Sequence, residues 1–313
     1  MRSVSRIEAG SLVLVFAALG LACGSSAPSP VTPPSAPGET ASESLKGTLL
    51  IVGGGPIPDA VLARFVTLAG GKGHARIVVF PMASESADAG VELAEDFRKL
   101  GAEAERVVLT HEQAESATAA RRLDGVTGIW FGGGDQSRLT AAIGRTPVEA
   151  AIHERYRAGA VVGGTSAGAA VMSTPMLTGD ERRPGGSRPP EKDSGDAFMT
   201  IARDDVVTID GFGLIRGAIV DQHFVRRRRS NRLLSVVLEH PDLVGIGIDE
   251  STALEVPPSG PWRVLGNSVA VVFDARAARI TPPSSTLGAT DVRLAVLPAG
   301  SAYDVATGTA TLP

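Results

Sequence analysis

A serine flanked by small residues stands where a buried strand is predicted to pass directly into a helix. Residues 159–173 read GAVVGGTSAGAAVMS, an apolar run followed by glycines and then by a small-residue segment that begins at Ser166. Glycines leave room for a tight turn, and the hydroxyl then projects from a helix N-terminus, where the helix dipole favours negative charge. The pattern predicts a nucleophile elbow with Ser166 as the attacking group. A glycine-rich turn that only packs, or that binds a phosphate, is the alternative.

A base and an acid for this serine are predicted at the ends of two further strands. Of the five histidines, only His223 lies at the end of a predicted buried strand, and Asp249-Glu250 follow the next one, 243–248. Because the carboxyl ends of parallel strands converge, we expect these groups to meet Ser166 at one edge of one sheet. The carboxylate would hold the imidazole tautomer. The sequence alone leaves Asp249 and Glu250 as equal candidates.

The elements that must position these groups alternate between strands and helices. Apolar runs at 48–53, 76–80, 105–109, 128–131 and 159–163 are separated by helical stretches near 58–69, 87–100, 135–143 and 148–157, and further strands follow at 215–220 and 243–248. Strands that are apolar throughout predict a parallel sheet covered on both faces, hence an α/β fold. Residues 262–313 predict a β-rich C-terminal tail. The Pro-, Gly- and charge-rich segment 178–200 predicts a long loop that is functional or disordered.

The N-terminal residues are typical of an exported protein. Residues 1–22 combine a short positive region with an apolar stretch too short to span a bilayer comfortably, which predicts a signal peptide. Leu19-Gly20-Leu21-Ala22-Cys23 resembles the lipobox of bacterial lipoproteins, so we expect lipidation of Cys23 and anchoring to the cell envelope, on its periplasmic side or at the cell surface. A plain signal peptide is the alternative. The Pro/Ser-rich residues 23–46 predict a linker, and 47–313 the folded catalytic domain.

Composition excludes several classes of protein. The chain has 313 residues, of which 43% are hydrophobic and 20% charged, enough for one large α/β domain. Its formal net charge is −4, from 30 Lys and Arg against 34 Asp and Glu, so a nucleic-acid partner is not expected. Cys23 is the only cysteine, which excludes an intramolecular disulfide and a cysteine-based metal cluster. The oligomeric state is left open, a homodimer being one compatible arrangement.

Four segments together resemble a known family. FGGGDQ (131–136), GGTSAGA (163–169), DQHFVRRRRSNRL (221–233) and GIGIDESTAL (245–254) are similar, in order and spacing, to the signature blocks of cyanophycinases, in the wider group that contains aspartyl dipeptidases. The resemblance implies a three-layer α/β/α fold with a mostly parallel, flavodoxin-like central sheet, related to class I glutamine amidotransferases. Those enzymes carry cysteine at the elbow, whereas this chain carries serine.

The resemblance also implies roles for individual residues. Ser166 corresponds to the nucleophile, His223 to the base and Glu250 to the third member of the triad. The implied oxyanion hole uses the backbone of Gly133, Gly134 and Ala167. The implied substrate-binding residues are Gln136, Asp221, Gln222, Arg227, Arg229 and Arg232. Arg226 and Arg228 lie outside the family's pattern, and no cofactor or metal is implied.

The substrate that the resemblance implies matches this set of side chains. Cyanophycin is a polyaspartate in which arginine is joined through its α-amine to each β-carboxyl, so each unit presents a carboxylate and a guanidinium group. Arginines bind carboxylates in a bidentate manner, and carboxylates or amides accept from guanidinium groups. We expect a serine exopeptidase in which Ser166 attacks the β-aspartyl carbonyl and β-aspartyl-arginine is released through an acyl-enzyme. The alternatives are a dipeptidase or isopeptidase on short aspartyl peptides, and a peptide-binding lipoprotein without activity.

Overall fold

The structure is a computed structural model, and it describes residues 45–182, 198–283 and 287–313. Seventeen strands and eight helices are found in these ranges. The strands are β1 Leu49–Val52, β2 Arg76–Phe80, β3 Glu103–Arg106, β4 Gly128–Phe131, β5 Val161–Thr165, β6 Met176–Glu181, β7 Val206–Ile209, β8 Ala218–Gln222, β9 Val244–Ile248, β10 Thr252–Val256, β11 Trp262–Gly266, β12 Val269–Asp274, β13 Arg279–Ile280, β14 Ala289–Thr290, β15 Arg293–Pro298, β16 Ala302–Asp304 and β17 Thr309–Thr311. The helices are α1 Asp59–Leu68, α2 Val91–Lys99, α3 His111–Ala114, α4 Ala117–Arg121, α5 Gln136–Ile143, α6 Pro147–Ala158, α7 Ala167–Ala170 and α8 Ser230–Glu239.

Several sequence-based predictions fall outside the described residues. These are the signal peptide 1–22, the lipidation site Cys23, nearly all of the linker 23–46 and most of the segment 178–200. Within the described ranges, no helix has the length and hydrophobicity needed to cross a membrane.

A nine-stranded sheet forms the centre of the fold, in the order β17-β16-β11-β10-β1-β5-β4-β2-β3. Strands β1, β5, β4, β2 and β3 are parallel, and β10, β11, β16 and β17 extend the sheet with antiparallel pairs. The five parallel strands confirm the predicted parallel core. Strand β3 begins at Glu103, two residues before the predicted run, and the short helix α4 was not predicted.

Helices cover both faces of this sheet. Alternate residues of β1 point to opposite faces, so that Leu49 and Ile51 join one hydrophobic cluster while Leu50 and Val52 join another. Helices α5, α6 and α7 contribute to the first cluster, and α1 and α2 contribute to the second through side chains such as Phe65. The predicted three-layer α/β/α arrangement is therefore confirmed.

A second sheet of four strands, in the order β15-β12-β9-β8, was not expected. Strands β8 and β9 are parallel and fully buried, and α8 packs on them through Leu233 and Val237. The prediction that the serine, the histidine and the acid end strands of one sheet is wrong. Strands β8 and β9 are as apolar as the strands of the central sheet, so nothing in their composition marks the change of sheet.

The C-terminal tail, residues 262–313, contains only strands among its described elements, as predicted. Five of its seven strands are divided between the two sheets, and β13 and β14 pair with each other. Strands β11, β16 and β17 extend the central sheet, whereas β12 and β15 complete the four-stranded sheet. The tail therefore connects the sheet that ends at Ser166 with the sheet that ends at His223.

Candidate active site

Ser166 stands in a strained turn between β5 and α7. Its backbone has φ 55° and ψ −112°, a conformation that is rare for residues other than glycine. The turn is tight because a Cβ at Gly164 would overlap the backbone of Gly168, and a Cβ at Gly168 would overlap the backbone of Phe131. The backbone N–H of Ser166 donates to the carbonyl of Val52 at 3.1 Å, which fixes the turn to β1. This is the geometry of a nucleophile elbow.

His223 lies directly after β8 and joins the two other polar groups of the site. Its Nε2 is 2.9 Å from Ser166 Oγ, and its Nδ1 is 2.7 Å from Glu250 Oε1. The side chain is buried, and the backbone has φ 47°. The backbone N–H of His223 donates to the carbonyl of Gly53 at 2.6 Å. Three side chains that are distant in sequence are thus connected in one hydrogen-bonded chain.

The tautomer of His223 follows from the chemistry of its partners. An ionised carboxylate only accepts hydrogen bonds, so Nδ1–H donates to Glu250. Nε2 is then left without a proton and accepts the hydrogen bond that the hydroxyl of Ser166 donates. This arrangement is the one in which an imidazole can take the serine proton while the carboxylate stabilises the resulting imidazolium.

Burial lowers the pKa of His223 below its ordinary value of 6.5. The hydrogen bond to Glu250 raises this pKa, and the positive charges of Arg227 and Arg229 lower it further. The net effect is a lowered pKa, which favours the neutral imidazole at neutral pH. A neutral imidazole is the form required of a general base.

Asp249 and Glu250, which the sequence left as equal candidates, have different partners. Glu250 binds the imidazole, whereas Asp249 is turned away from the ring and accepts hydrogen bonds from backbone N–H groups of Val225 and Arg226. The geometry therefore favours Glu250 as the group that orients His223.

Two of the three predicted oxyanion-hole residues are close to the nucleophile. Ala167 is the next residue in the chain, and a Cβ added at Gly133 would lie 3.5 Å from Ser166 Cβ. Among the described residues, the backbone N–H groups of Ala167 and Gly133 have no hydrogen-bond acceptor. Gly134 is exposed and lies against the backbone of Ala83. The oxyanion role of all three residues stays a prediction.

Four of the predicted substrate-binding residues are paired with each other. Arg232 donates through Nε and Nη2 to both carboxylate oxygens of Asp221, and the two residues are only 2% and 1% exposed. Arg229 Nη1 donates to Gln222 at both the side-chain oxygen, at 2.8 Å, and the backbone carbonyl. These buried pairs brace the segment that carries His223. Any direct contact between them and a substrate stays a prediction.

The two remaining residues of that set lie in different surroundings. Gln136 begins α5, is buried, and donates through Nε2 to the carbonyl of Leu177 in β6 at 2.6 Å. Arg227 is exposed and close enough to His223 to affect its pKa. Arg226 and Arg228, which the family pattern omits, are exposed as well. Of these three exposed arginines, Arg227 is the one whose charge acts on the base.

Sequence reasoning missed a glycine turn that shapes the site. Residues Gly53, Gly54 and Gly55 follow β1, and a Cβ at Gly54 would overlap the ring of His223. A Cβ at Gly55 would lie 3.0 Å from that of Glu250. Gly54 and Gly55 have φ of 113° and 67°, which other residues rarely adopt. The signal was available as three consecutive glycines at the end of the first buried strand.

Comparisons with known proteins identify the family. The model of peptidase family S51 matches residues 49–260. The chain belongs to peptidase family S51. The cyanophycinase of Synechococcus elongatus is 33% identical over 84% of this chain and 80% of that protein, and the cyanophycinase of Trichormus variabilis is 36% identical over 74% and 75%. Membership of this family makes the chain a peptidase.

A solved structure supports the fold independently. The crystal structure of a peptidase from an acI-B1 actinobacterium superimposes with a TM-score of 0.58 and covers 83% of this chain and 97% of that one. At 23% sequence identity, this likeness concerns the fold alone. Within the described ranges, no group of three or more His, Cys, Asp or Glu side chains is arranged to hold a metal ion.

Proposed function

We propose that this S51 peptidase is a cyanophycinase, a serine exopeptidase that degrades cyanophycin to β-aspartyl-arginine. The observation that carries the proposal is the chain of two hydrogen bonds from Ser166 through His223 to Glu250, at 2.9 and 2.7 Å. A serine peptidase needs this connection, and relatives that are 32–36% identical are cyanophycinases. Arg227, which is exposed and close to His223, is suited to bind the carboxylate that each cyanophycin unit carries.

The released product defines the bond that is broken. β-Aspartyl-arginine retains its side-chain linkage, so the scissile bond is the main-chain amide between successive aspartates. This replaces the expectation of attack at the β-aspartyl carbonyl. Ser166 Oγ forms a bond to the main-chain carbonyl carbon while His223 takes its proton, and the C–N bond breaks as His223 returns that proton to the leaving amine. Water, activated by the same imidazole, then hydrolyses the ester.

Stabilisation of the tetrahedral intermediate is assigned to backbone groups. Ala167 and Gly133 lie next to Ser166, and their N–H groups are available to an oxyanion because no acceptor is found for them among the described residues. Such preorganised donors are worth about 10²–10³-fold in rate each in serine peptidases. We assign Gly134 to the same loop, as a residue that shapes it.

An open groove of about 990 Å³ follows α5 from Ser137 to Gly144. The catalytic residues do not line it, and the two charges at its wall, Arg145 and Asp210, pair with each other at 3.1 Å. The preference for a polymer over short peptides therefore rests on the similarity to cyanophycinases, and the dipeptidase is the alternative that the assay must separate.

The test is hydrolysis of insoluble cyanophycin and of β-aspartyl dipeptides by residues 47–313, with products identified by mass. We expect β-aspartyl-arginine from the polymer. Ser166→Ala should lower this rate on the order of 10⁶-fold, because the nucleophile is lost. Ser116→Ala, which removes a hydroxyl at the N-cap of α4, is the matched control and should retain the rate. Release of dipeptide by Ser166→Ala at the wild-type rate would exclude the proposal, and cleavage of dipeptides alone would favour the dipeptidase.

We further propose that the protein is exported and anchored through lipidated Cys23. The support is the order of charged, apolar and small residues in 1–22 and the lipobox-like Leu19–Cys23. An enzyme placed there would meet only polymer outside the cytoplasm. Labelled palmitate should be incorporated into the full-length chain and not into Cys23→Ala, and the wild type should fractionate with membranes. Equal fractionation of both forms with the soluble proteins would contradict the anchor.

A further inference from the structure

Asp249 is a buried carboxylate next to the catalytic acid, and the mechanism above does not use it. Its side chain is 8% exposed, and both of its oxygens accept hydrogen bonds. Oδ1 accepts from the backbone N–H groups of Val225 at 3.1 Å and Arg226 at 2.9 Å, and Oδ2 accepts from Ser268 Oγ at 2.8 Å. A buried charge is retained at a cost unless it is well partnered, so this set of contacts calls for a reason.

The backbone that Asp249 binds is the turn that follows His223. Val225 and Arg226 are two and three residues beyond the base, and the N–H of Arg227 donates to the carbonyl of His223 at 2.9 Å. His223 has φ 47°, a conformation that is unfavourable for a residue other than glycine and that persists only where surrounding contacts impose it. The Asp249 carboxylate is one of those contacts.

Ser268 brings the C-terminal tail into the same arrangement. It lies between β11 and β12, eight residues beyond the segment that matches the family model. Besides the bond from its hydroxyl to Asp249, its N–H donates to Thr252 Oγ1 at 2.9 Å, and that hydroxyl donates to the carbonyl of Glu250. The backbone N–H of Asp249 donates to the carbonyl of Val269. The tail therefore contacts Asp249 directly and is connected to Glu250 through Thr252.

We propose that Asp249 and Ser268 form a positioning pair for His223. Glu250 sets the rotation and tautomer of the imidazole, whereas Asp249 fixes the backbone on which the imidazole is mounted, and Ser268 fixes Asp249. This inference rests on the proposed role of His223 as the base for Ser166. Loss of the pair should move the imidazole relative to Ser166 Oγ, and a displacement of about 1 Å can cost 10²-fold in rate.

The test measures how fast a fluorophosphonate probe labels Ser166, because that rate reports serine activation without depending on the substrate. Asp249→Ala should label about 10²-fold more slowly than wild type. Asp249→Asn should recover most of the rate, since an amide oxygen can still accept from the two N–H groups. Ser268→Ala should fall between wild type and Asp249→Ala. With the natural substrate, kcat should fall while KM changes little.

Asp274→Asn is the matched control. Asp274 is also a buried carboxylate, 2% exposed, with partners Arg276 and Arg293 in the C-terminal tail. This change should lower the Tm and leave the labelling rate unchanged. If Asp249→Ala does not fold, Ser268→Ala and Asp249→Asn provide the test. Slower labelling of Ser268→Ala, at a Tm no lower than that of Asp274→Asn, supports the positioning pair.

Wild-type labelling by Ser268→Ala, or an Asp249→Asn rate no higher than that of Asp249→Ala, would overturn the positioning role. A wild-type enzyme that is not labelled at Ser166 would instead overturn the proposed function. The two failures are therefore distinguishable.

Discussion

The two sides of the active site are held in place by different means. The serine side, comprising Ser166 and the turns after β1 and β4, is fixed by backbone contacts and by small residues that leave no room for larger ones. The histidine side, comprising residues 221–229 and 249–250, is fixed by buried polar pairs such as Asp221–Arg232 and Gln222–Arg229. Each side belongs to a different sheet.

This difference explains how far each side can be recognised in a sequence. Steric restriction acts between neighbours along the chain, so the serine turn is a short run of glycines and alanines. Polar pairs act between residues that are further apart, as Asp221 and Arg232 are, and their pairing depends on the folded geometry. The position of the nucleophile thus depends on neighbouring residues along the chain. The position of the base depends on pairs of side chains that are further apart.

On the histidine side, removing the charge of Glu250, which contacts the His223 ring, should have the largest effect on activity. Glu250→Gln can no longer stabilise the Nδ1–H tautomer or the imidazolium, so kcat should fall about 10⁴-fold, as it does for the corresponding change in a serine-protease triad. Kinetics on cyanophycin with purified protein will measure it. Glu255→Gln is the control, because Glu255 is a glutamate of β10 that pairs with Arg64 of α1 and not with His223. A variant at 250 with near-normal kcat would remove Glu250 from the triad.

A single methyl group at Gly54 should disrupt the contact between the serine side and the histidine side. At Gly54, a Cβ would overlap the His223 ring, so Gly54→Ala should displace the imidazole and lower kcat about 10²-fold. Gly217→Ala is the matched control. Gly217 also has a positive φ, 70°, but a Cβ there meets nothing within 4 Å, so this variant should lose stability through backbone strain and keep its kcat. Equal activity in both variants would show that the glycine turn does not shape the site.

Removing the charge of Arg227 should change the pKa of His223 without moving its side chain, and the effect on activity should be smaller. The charge of Arg227 contributes to lowering the pKa of His223, so Arg227→Gln should raise that pKa. The acidic limb of the kcat/KM profile reports the free enzyme's base, and it should move to higher pH. Arg279→Gln, a change at an exposed arginine paired with Asp291, should leave the limb in place. A shift to lower pH, or none, would contradict the electrostatic account.

Most of the serine side could be predicted from the sequence. The parallel strands, the elbow at Ser166 and the three-layer arrangement follow from local patterns of apolar and small residues, and the structure confirms the strands and the layers. The glycine turn after β1 was missed because three glycines in a turn have many explanations until a ring is seen to lie against one of them.

Less of the histidine side could be predicted from the sequence, for physical reasons. Asp249 and Glu250 are adjacent, and only the backbone path after β9 decides which carboxylate faces the ring. The resemblance implied substrate-binding roles for Asp221 and Arg232, and their mutual pairing, which allows both to be buried, depends on the folded geometry. The second sheet was hidden because β8 and β9 have the same apolar composition as the central strands.

The most direct test of the account is whether His223 activates Ser166. Incubation with a fluorophosphonate, followed by peptide mapping, should place the label on Ser166 in the wild type, and His223→Gln should abolish labelling while the Tm changes little. Labelling of Ser166 at the same rate in wild type and His223→Gln, or no labelling of the wild type, would contradict the account.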